Sequence, residues 1–381
     1  MKFSKYSGAH LAYCTNIHPA ESWDETWRAL KTHTLKVRHE VAAPAEPYAI
    51  GLRLSAIAAA ELLDNDKLSQ FREWLDQENC YVFTINGFPY GSFHDTRVKE
   101  KVYQPDWTSQ DRLSYTKQLF TIIAQLVPEG IEGSVSTLPG SFKEFQADEA
   151  AIFQNLEACA HHIEELSLQY GRDLHLGLEP EPLGHFENTE ETLQFFNRFL
   201  EAVPEPELVK QRIGINYDTC HFALEFDDCQ SSLDAFLAAG LRISKVHLSS
   251  ALEFDPSSRQ ALNAIRAFDE PTYLHQVIVS EDNGVLSRFK DLPDFLQSSK
   301  SKVQTATNGR IHFHIPLYAD PEAPLGSTRD HATEAIAYLR TNPGFCSHFE
   351  IETYTWGVLP GELQIPVEEQ IAREYEWVLN Q

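Results

Sequence analysis

The strongest constraint on this chain is its beat: apolar runs of strand length alternate with amphipathic stretches of helix length along almost all of it. Alternation of this kind implies a parallel sheet whose strands are joined by crossover helices. Strand candidates fall at 9–15, 48–54, 80–85, 133–139, 174–178, 212–215, 243–248 and 346–354, with two more at 273–279 and 311–318. Helical spacing separates most of them. Ser22 and Glu25 have capping-box spacing, and Ile152, Leu156, Cys159, Ile163 and Leu166 make one apolar stripe. The strand count passes eight and no linker divides the 381 residues, so a closed (β/α)8 TIM barrel, one α/β domain over 1–381, is expected. Ten candidates compete for eight places. Those at 273–279 and 311–318 are assigned to an elaboration between strands seven and eight, with an insertion at 250–310; a long βα loop rich in Gly and Pro spans 87–107.

In such a barrel, chemistry belongs where the strands end at their carboxyl side. Those ends carry Glu179 and Glu181 on the fifth strand, Asp218 and His221 on the sixth, His247 on the seventh, and Glu350 and Glu352 on the eighth. Carboxylates and imidazoles converging on one mouth are what a divalent cation requires. Each piece also has a plainer reading. Asp218 fits a turn cap, and Glu179 and Glu181 flank Pro180 as exposed turn residues would. His247, alone on an apolar strand, reads more readily as a satisfied core histidine. His312 and His314 stand two apart, which puts both rings on one face of a strand and Phe313 on the other, favouring a ligand or acid/base role. Glu350 and Glu352 share that geometry, and Glu352, next to the lip Thr353-Tyr354-Thr355-Trp356, is the one expected to reach the mouth. Asn86, in Asn86-Gly87-Phe88-Pro89, and His94 fit a tight turn more simply than a substrate contact.

Composition removes several functions. Thirty-one basic against 56 acidic residues give a formal charge of −25, which repels nucleic acid and anionic lipid. The basic runs Lys99-Glu100-Lys101 and Lys300-Ser301-Lys302 are short. Six scattered cysteines match neither a disulfide framework nor a paired zinc motif. With no membrane-length apolar run and no signal-peptide core at the start, a reduced, cytoplasmic protein without membrane insertion is expected.

Taken in order, Leu178-Glu179-Pro180, Asp218 to His221, Lys245-Val246-His247-Leu248 and Ile351-Glu352 resemble the xylose isomerase-like superfamily of sugar isomerases, epimerases and endonuclease IV-type enzymes. A wider set of motifs, Tyr13-Cys14-Thr15-Asn16-Ile17-His18-Pro19, Asn86-Gly87-Phe88-Pro89, Pro105-Asp106-Trp107 and His312-Phe313-His314-Ile315-Pro316, is similar to the metabolite-traffic protein EboE family over nearly the full length. The resemblance implies Glu179, Asp218, His247 and Glu352 as ligands of a divalent manganese, zinc or magnesium ion. It implies Glu179 and Glu352 as the acid/base pair, with His221 beside them in a catalytic role. His221, His312, His314, His94, Asn86 and His18 are candidates for a second metal or for substrate. The strand-seven pair departs from the endonuclease pattern: its first member is His312 rather than an Asp, and it lies more than sixty residues beyond His247, which speaks against a trinuclear zinc site. The expected function is isomerisation or epimerisation of a small sugar-like or polyol metabolite, by proton transfer, in a metabolite-export pathway. A metal-containing carrier without catalysis is the alternative. The insertion is a candidate lid or subunit contact, so a homo-oligomer is compatible with the sequence.

Overall fold

The computed structural model describes residues 1–3, 8–91, 98–281, 284–298, 306–321, 323–361 and 364–381. Seven parallel strands come first: β1 His10–Tyr13, β2 Tyr48–Arg53, β3 Cys80–Asn86, β4 Gly133–Thr137, β5 Leu174–Leu178, β6 Ile213–Asp218 and β7 Ile243–Leu248. Five short strands follow, β8 Leu252–Phe254, β9 Val277–Glu281, β10 Leu286–Phe289, β11 Ala306–Ile311 and β12 Leu325–Ser327, before β13 His348–Ile351 completes the eight. The parallel ladder runs β1-β13-β7-β6-β5-β4-β3-β2. Between β1 and β2 a single bridge, Cys14 with Gly51, takes the place of a ladder, so the barrel is nearly closed.

Every residue of these eight strands is buried, because helices cover the outside and side chains fill the inside. On β6, Ile213, Ile215 and Tyr217 belong to the apolar layer beneath the helices, so by the period of two Gly214, Asn216 and Asp218 face inward. The inward rows are unusually polar. They read His175, Gly177 and Glu179 along β5, Lys245 and His247 along β7, and His348, Glu350 and then Glu352 along and just past β13. Register ties these rows together, pairing Asp218 with His247 and His247 with Glu350.

The remaining strands form an antiparallel sheet, in the order β10-β9-β11-β8-β12, around its own core of Leu252, Val277, Val279, Phe295, Ile311 and Phe313. The strand expected at 311–318 stops at Ile311, and the one expected at 273–279 starts only at Val277. Past Ile311 the backbone turns to other partners, with His312 N bonded to Gln276 O at 2.9 Å and Ile315 N to Ser250 O at 3.0 Å. The long loop after β3 is fastened to this sheet's surroundings by Val98 N to Thr272 O at 2.9 Å and by Lys99 with Asp291 at 2.5 Å. The helical stretch between β2 and β3 is broken into Ala56–Leu63 and Lys67–Gln77, where Asn65 takes a φ of 55°. Among the described residues no helix is long and apolar enough to cross a membrane.

Candidate metal centre

Glu179 directly follows β5, at the point where Pro180 ends the ladder, which leaves its side chain at the carboxyl mouth of the barrel. Asp218 closes β6 and caps the helix Thr219–Leu224: its Oδ1 accepts from Cys220 N at 2.7 Å, His221 N at 3.1 Å and Ser249 Oγ at 2.6 Å. The cap uses one oxygen. Oδ2 makes no hydrogen bond and stands 3.6 Å from His247 Nδ1, so the cap and the cluster share one carboxylate. Glu352 lies one residue past β13. One donor atom each from Glu179, Asp218, His247 and Glu352 falls within 4.8 Å of all the others, and all four side chains are buried.

His247 is the hub. Its Nδ1 lies 2.9 Å from Glu179 Oε1 and 3.1 Å from Glu352 Oε2, while Nε2 lies 2.9 Å from Glu350 Oε2. Burial alone would discharge the ring, but the carboxylates of Glu352 and Glu179 hold its pKa well above the ordinary value. Burial likewise opposes charge on Asp218, and His221, with His247 and His314, overcomes it and keeps the carboxyl well below its usual range. Glu181, also at the mouth, goes the other way: burial and the neighbouring Glu179 charge push it well up. Three buried carboxylates around one imidazole, with Glu179 Oε2 and Asp218 Oδ2 lacking any hydrogen bond, fit a divalent ion with a preference for oxygen.

Around the ligands stands a set of orienting contacts. Glu350 Oε2 also accepts from Lys245 Nζ at 2.6 Å, and Lys245 donates to Ser136 Oγ at 2.9 Å. Glu352 Oε1 accepts from Asn16 Nδ2 at 2.8 Å and Asn86 Nδ2 at 3.0 Å. Such partners fix ligand orientation and tune ligand basicity.

Beside this cluster three histidines face one another. His312 Nε2 lies 3.1 Å from His221 Nε2 and 3.2 Å from His314 Nε2. Each ring is committed on its far side: His221 Nδ1 to Pro180 O at 3.0 Å, His314 Nδ1 to Glu352 O at 2.9 Å, His312 Nδ1 to Gln276 Oε1 at 2.7 Å. Those three oxygens only accept, so each Nδ1 carries the proton and the three Nε2 lone pairs converge. Burial holds the pKa of His312 well below the ordinary range, which disfavours a proton as the bridge. Asp218, His221 and His314, and likewise Glu181, His221 and His312, each have one donor atom within 4.8 Å of the other two, a spacing that suits a cation.

The structure brings most of the sequence-predicted residues together, and three placements differ. His312 and His314 converge although no strand carries them. His18 is not brought to the cluster: the turn Thr15–Ile17 directs it to the Tyr13 hydroxyl, 2.9 Å away, and its ring stacks on His33 at 4.6 Å. Asn86 serves Glu352 rather than a turn alone. His94 lies outside the described residues. Sequence reasoning passed over Asn16, Lys245 and the orienting role of Glu350. The inward period of two could have found Lys245 and Glu350, whereas nothing local marks Asn16. Above the cluster opens a cavity lined by Glu179, His221, His312 and Glu352, with Phe88, Tyr103 and Tyr354 around them.

No protein-family model matches the sequence, and no curated protein matches it either. Among solved structures, a xylose isomerase-like TIM barrel protein from Mycobacterium smegmatis, in complex with magnesium, aligns at a TM-score of 0.51 and 12% identity, over 100% of this chain and 97% of that one. A xylose isomerase domain protein from Planctomyces limnophilus aligns at 0.49 and 13% identity, over 98% and 96%. A D-psicose 3-epimerase from Clostridium cellulolyticum, solved with D-tagatose, aligns at 0.47 and 10% identity, over 97% and 96%. At 12% identity the first of these alignments establishes the fold alone, a (β/α)8 barrel.

Proposed function

We propose that the chain is a metal-dependent enzyme that isomerises or epimerises a small sugar-like or polyol metabolite by proton transfer. The observation that carries this reading is the four-residue donor set of Glu179, Asp218, His247 and Glu352, of which Glu179 and Glu352 line the cavity at the mouth. A manganese, magnesium or zinc ion held there would act as a Lewis acid towards substrate oxygens and acidify the adjoining C–H. Glu179 and Glu352, which line the cavity, supply carboxylates that take the proton from one carbon and return it to the next. Asn16 and Asn86 hold Glu352 through one oxygen and leave the other to face the reacting centre. His221 and His312, at the cavity wall, orient substrate hydroxyls or, with His314, hold a second ion.

The motif resemblance extends the reading to the EboE family, and so to a cytoplasmic step in metabolite export. The test is metal analysis by plasma mass spectrometry, followed by deuterium exchange from solvent into a panel of ketoses and polyols. Bound metal with exchange that is lost in Glu179→Gln supports the enzyme. Bound metal without exchange in any member of the panel moves the reading to a carrier. No metal in wild type, even after reconstitution, removes the ligand assignment.

A further inference from the structure

A second group of ligand-type side chains occupies the opposite end of the barrel. His175 is the second residue of β5 and His348 the first of β13, and both face inward. Their rings meet inside the amino mouth with centroids 5.4 Å apart and planes at 30°. Glu132, immediately before β4, reaches them from the rim, with Oε2 at 3.5 Å from His175 Nε2. One donor atom from each of the three lies within 4.8 Å of the other two.

The chemistry of these atoms is set by their surroundings. Ser134 Oγ donates to Thr84 Oγ1 at 2.7 Å, so it accepts from His348 Nδ1 at 2.8 Å. His348 Nε2 is therefore left as a bare lone pair. It makes no hydrogen bond, and neither ring nitrogen of His175 makes one, although the two side chains are only 0% and 1% exposed. Unpartnered buried polar atoms are uncommon in folded proteins and ask for an explanation. Ser347 Oγ donates to Glu132 Oε2 at 2.8 Å. Arg242, 3.5 Å from Glu132, is itself neutralised by Asp173 at 2.5 Å.

We propose that Glu132, His175 and His348 hold a structural zinc ion, separate from the centre at the carboxyl mouth. Two neutral imidazoles and a carboxylate form a zinc-type set, with water for the fourth position. Zinc needs donors about 3.3 Å apart, so small side-chain rotations from the observed spacing close the site. The ion would brace β13 against β4 and β5 across the interior, where β7 and β6 separate them along the ladder.

The experiment uses the full chain, stripped with chelator and titrated with zinc alone, reading zinc per chain by plasma mass spectrometry and melting temperature by calorimetry. His247→Ala together with His312→Ala removes both candidate ion sites at the other mouth. That protein is expected to keep one zinc per chain and to melt higher with zinc, and both effects are expected to vanish when His348→Phe is added. Glu132→Gln, isosteric at a half-exposed position, is expected to weaken this zinc at least about tenfold, and it decides the matter if His348→Phe does not fold. Zinc content and melting shift that are unchanged by both variants would overturn the proposal. A His247→Ala protein with the same metal content as wild type counts against the carboxyl-mouth centre and leaves this one standing.

Discussion

His247 donates through Nε2 to Glu350 Oε2 across 2.9 Å, and this bond decides which of its nitrogens faces the other three ligands. Lys245, bound to the same carboxylate oxygen at 2.6 Å, keeps Glu350 charged with a pKa of about 2, against the effect of burial. Outer partners of this kind contribute roughly 10–100-fold to metal affinity. Glu350→Gln is therefore expected to weaken metal binding by about that factor while every ligand stays in place. Competition against a chelator of known affinity measures it, and an unchanged affinity would show that Glu350 does not orient His247.

The three converging Nε2 atoms make a separate prediction. His312→Ala is expected to remove the second ion proposed for His312 with His221 and His314 and to spare the one proposed for Glu179, Asp218, His247 and Glu352. Metal content should fall by one ion per chain. A fall to zero would mean that the two groups form one inseparable site; no change would mean that no ion binds the histidines.

Glu374, on the last helix, is buried and accepts from Leu317 N at 3.1 Å and Thr353 Oγ1 at 2.6 Å. Burial raises its pKa from 4.5 to about 7. The folded protein thus keeps a proton that the unfolded chain releases between those values, so stability is full below the lower pKa and falls as pH rises through the upper one. The loss is up to about 3 kcal/mol. Glu374→Gln is expected to flatten that decline. Urea midpoints of the metal-free proteins at pH 5 and pH 8 test it, and equal losses in both proteins would count against it.

Gly51 stands across from Glu350, and a Cβ there would collide with the Glu350 carboxylate and come within 2.6 Å of the Tyr13 carbonyl oxygen. The backbone oxygen cannot rotate away. Gly51→Ala is expected to cost roughly 1–3 kcal/mol, as overpacking does, and to weaken metal binding by displacing Glu350. A urea midpoint within error of wild type would refute the first part and an unchanged metal affinity the second.

How much of this was legible depended on where each residue sits along its strand. Glu179, Asp218 and Glu352 end apolar runs, and the abrupt change of polarity marks them in the sequence. His247 lies inside its run, where a core histidine and a ligand look alike, and only the three carboxylates from other strands distinguish them. Lys245 and Glu350 lie one step deeper. The period of two shows that they face inward but not which layer of the barrel they reach. The pairing of His312 with His314 was anticipated from strand alternation, yet the strand has ended by then and their convergence comes from contacts with Gln276 and the Glu352 carbonyl. Asn16 and Gln276 come from loops far away in sequence, and folding alone brings them in. The break at Asn65 was hidden because helical periodicity continues across it.

The single bridge between Cys14 and Gly51 means that this barrel is a strip rolled up with two free edges rather than a hoop. Amide exchange should start along those edges, on β1 and β2, before it reaches β5 to β7. Gly51 lies on one edge with Glu350 behind it, so the thinnest part of the wall is also what keeps water from the carboxylate that steadies His247. How tightly the strip is fastened therefore sets the local dielectric at the metal centre, although neither edge supplies a ligand.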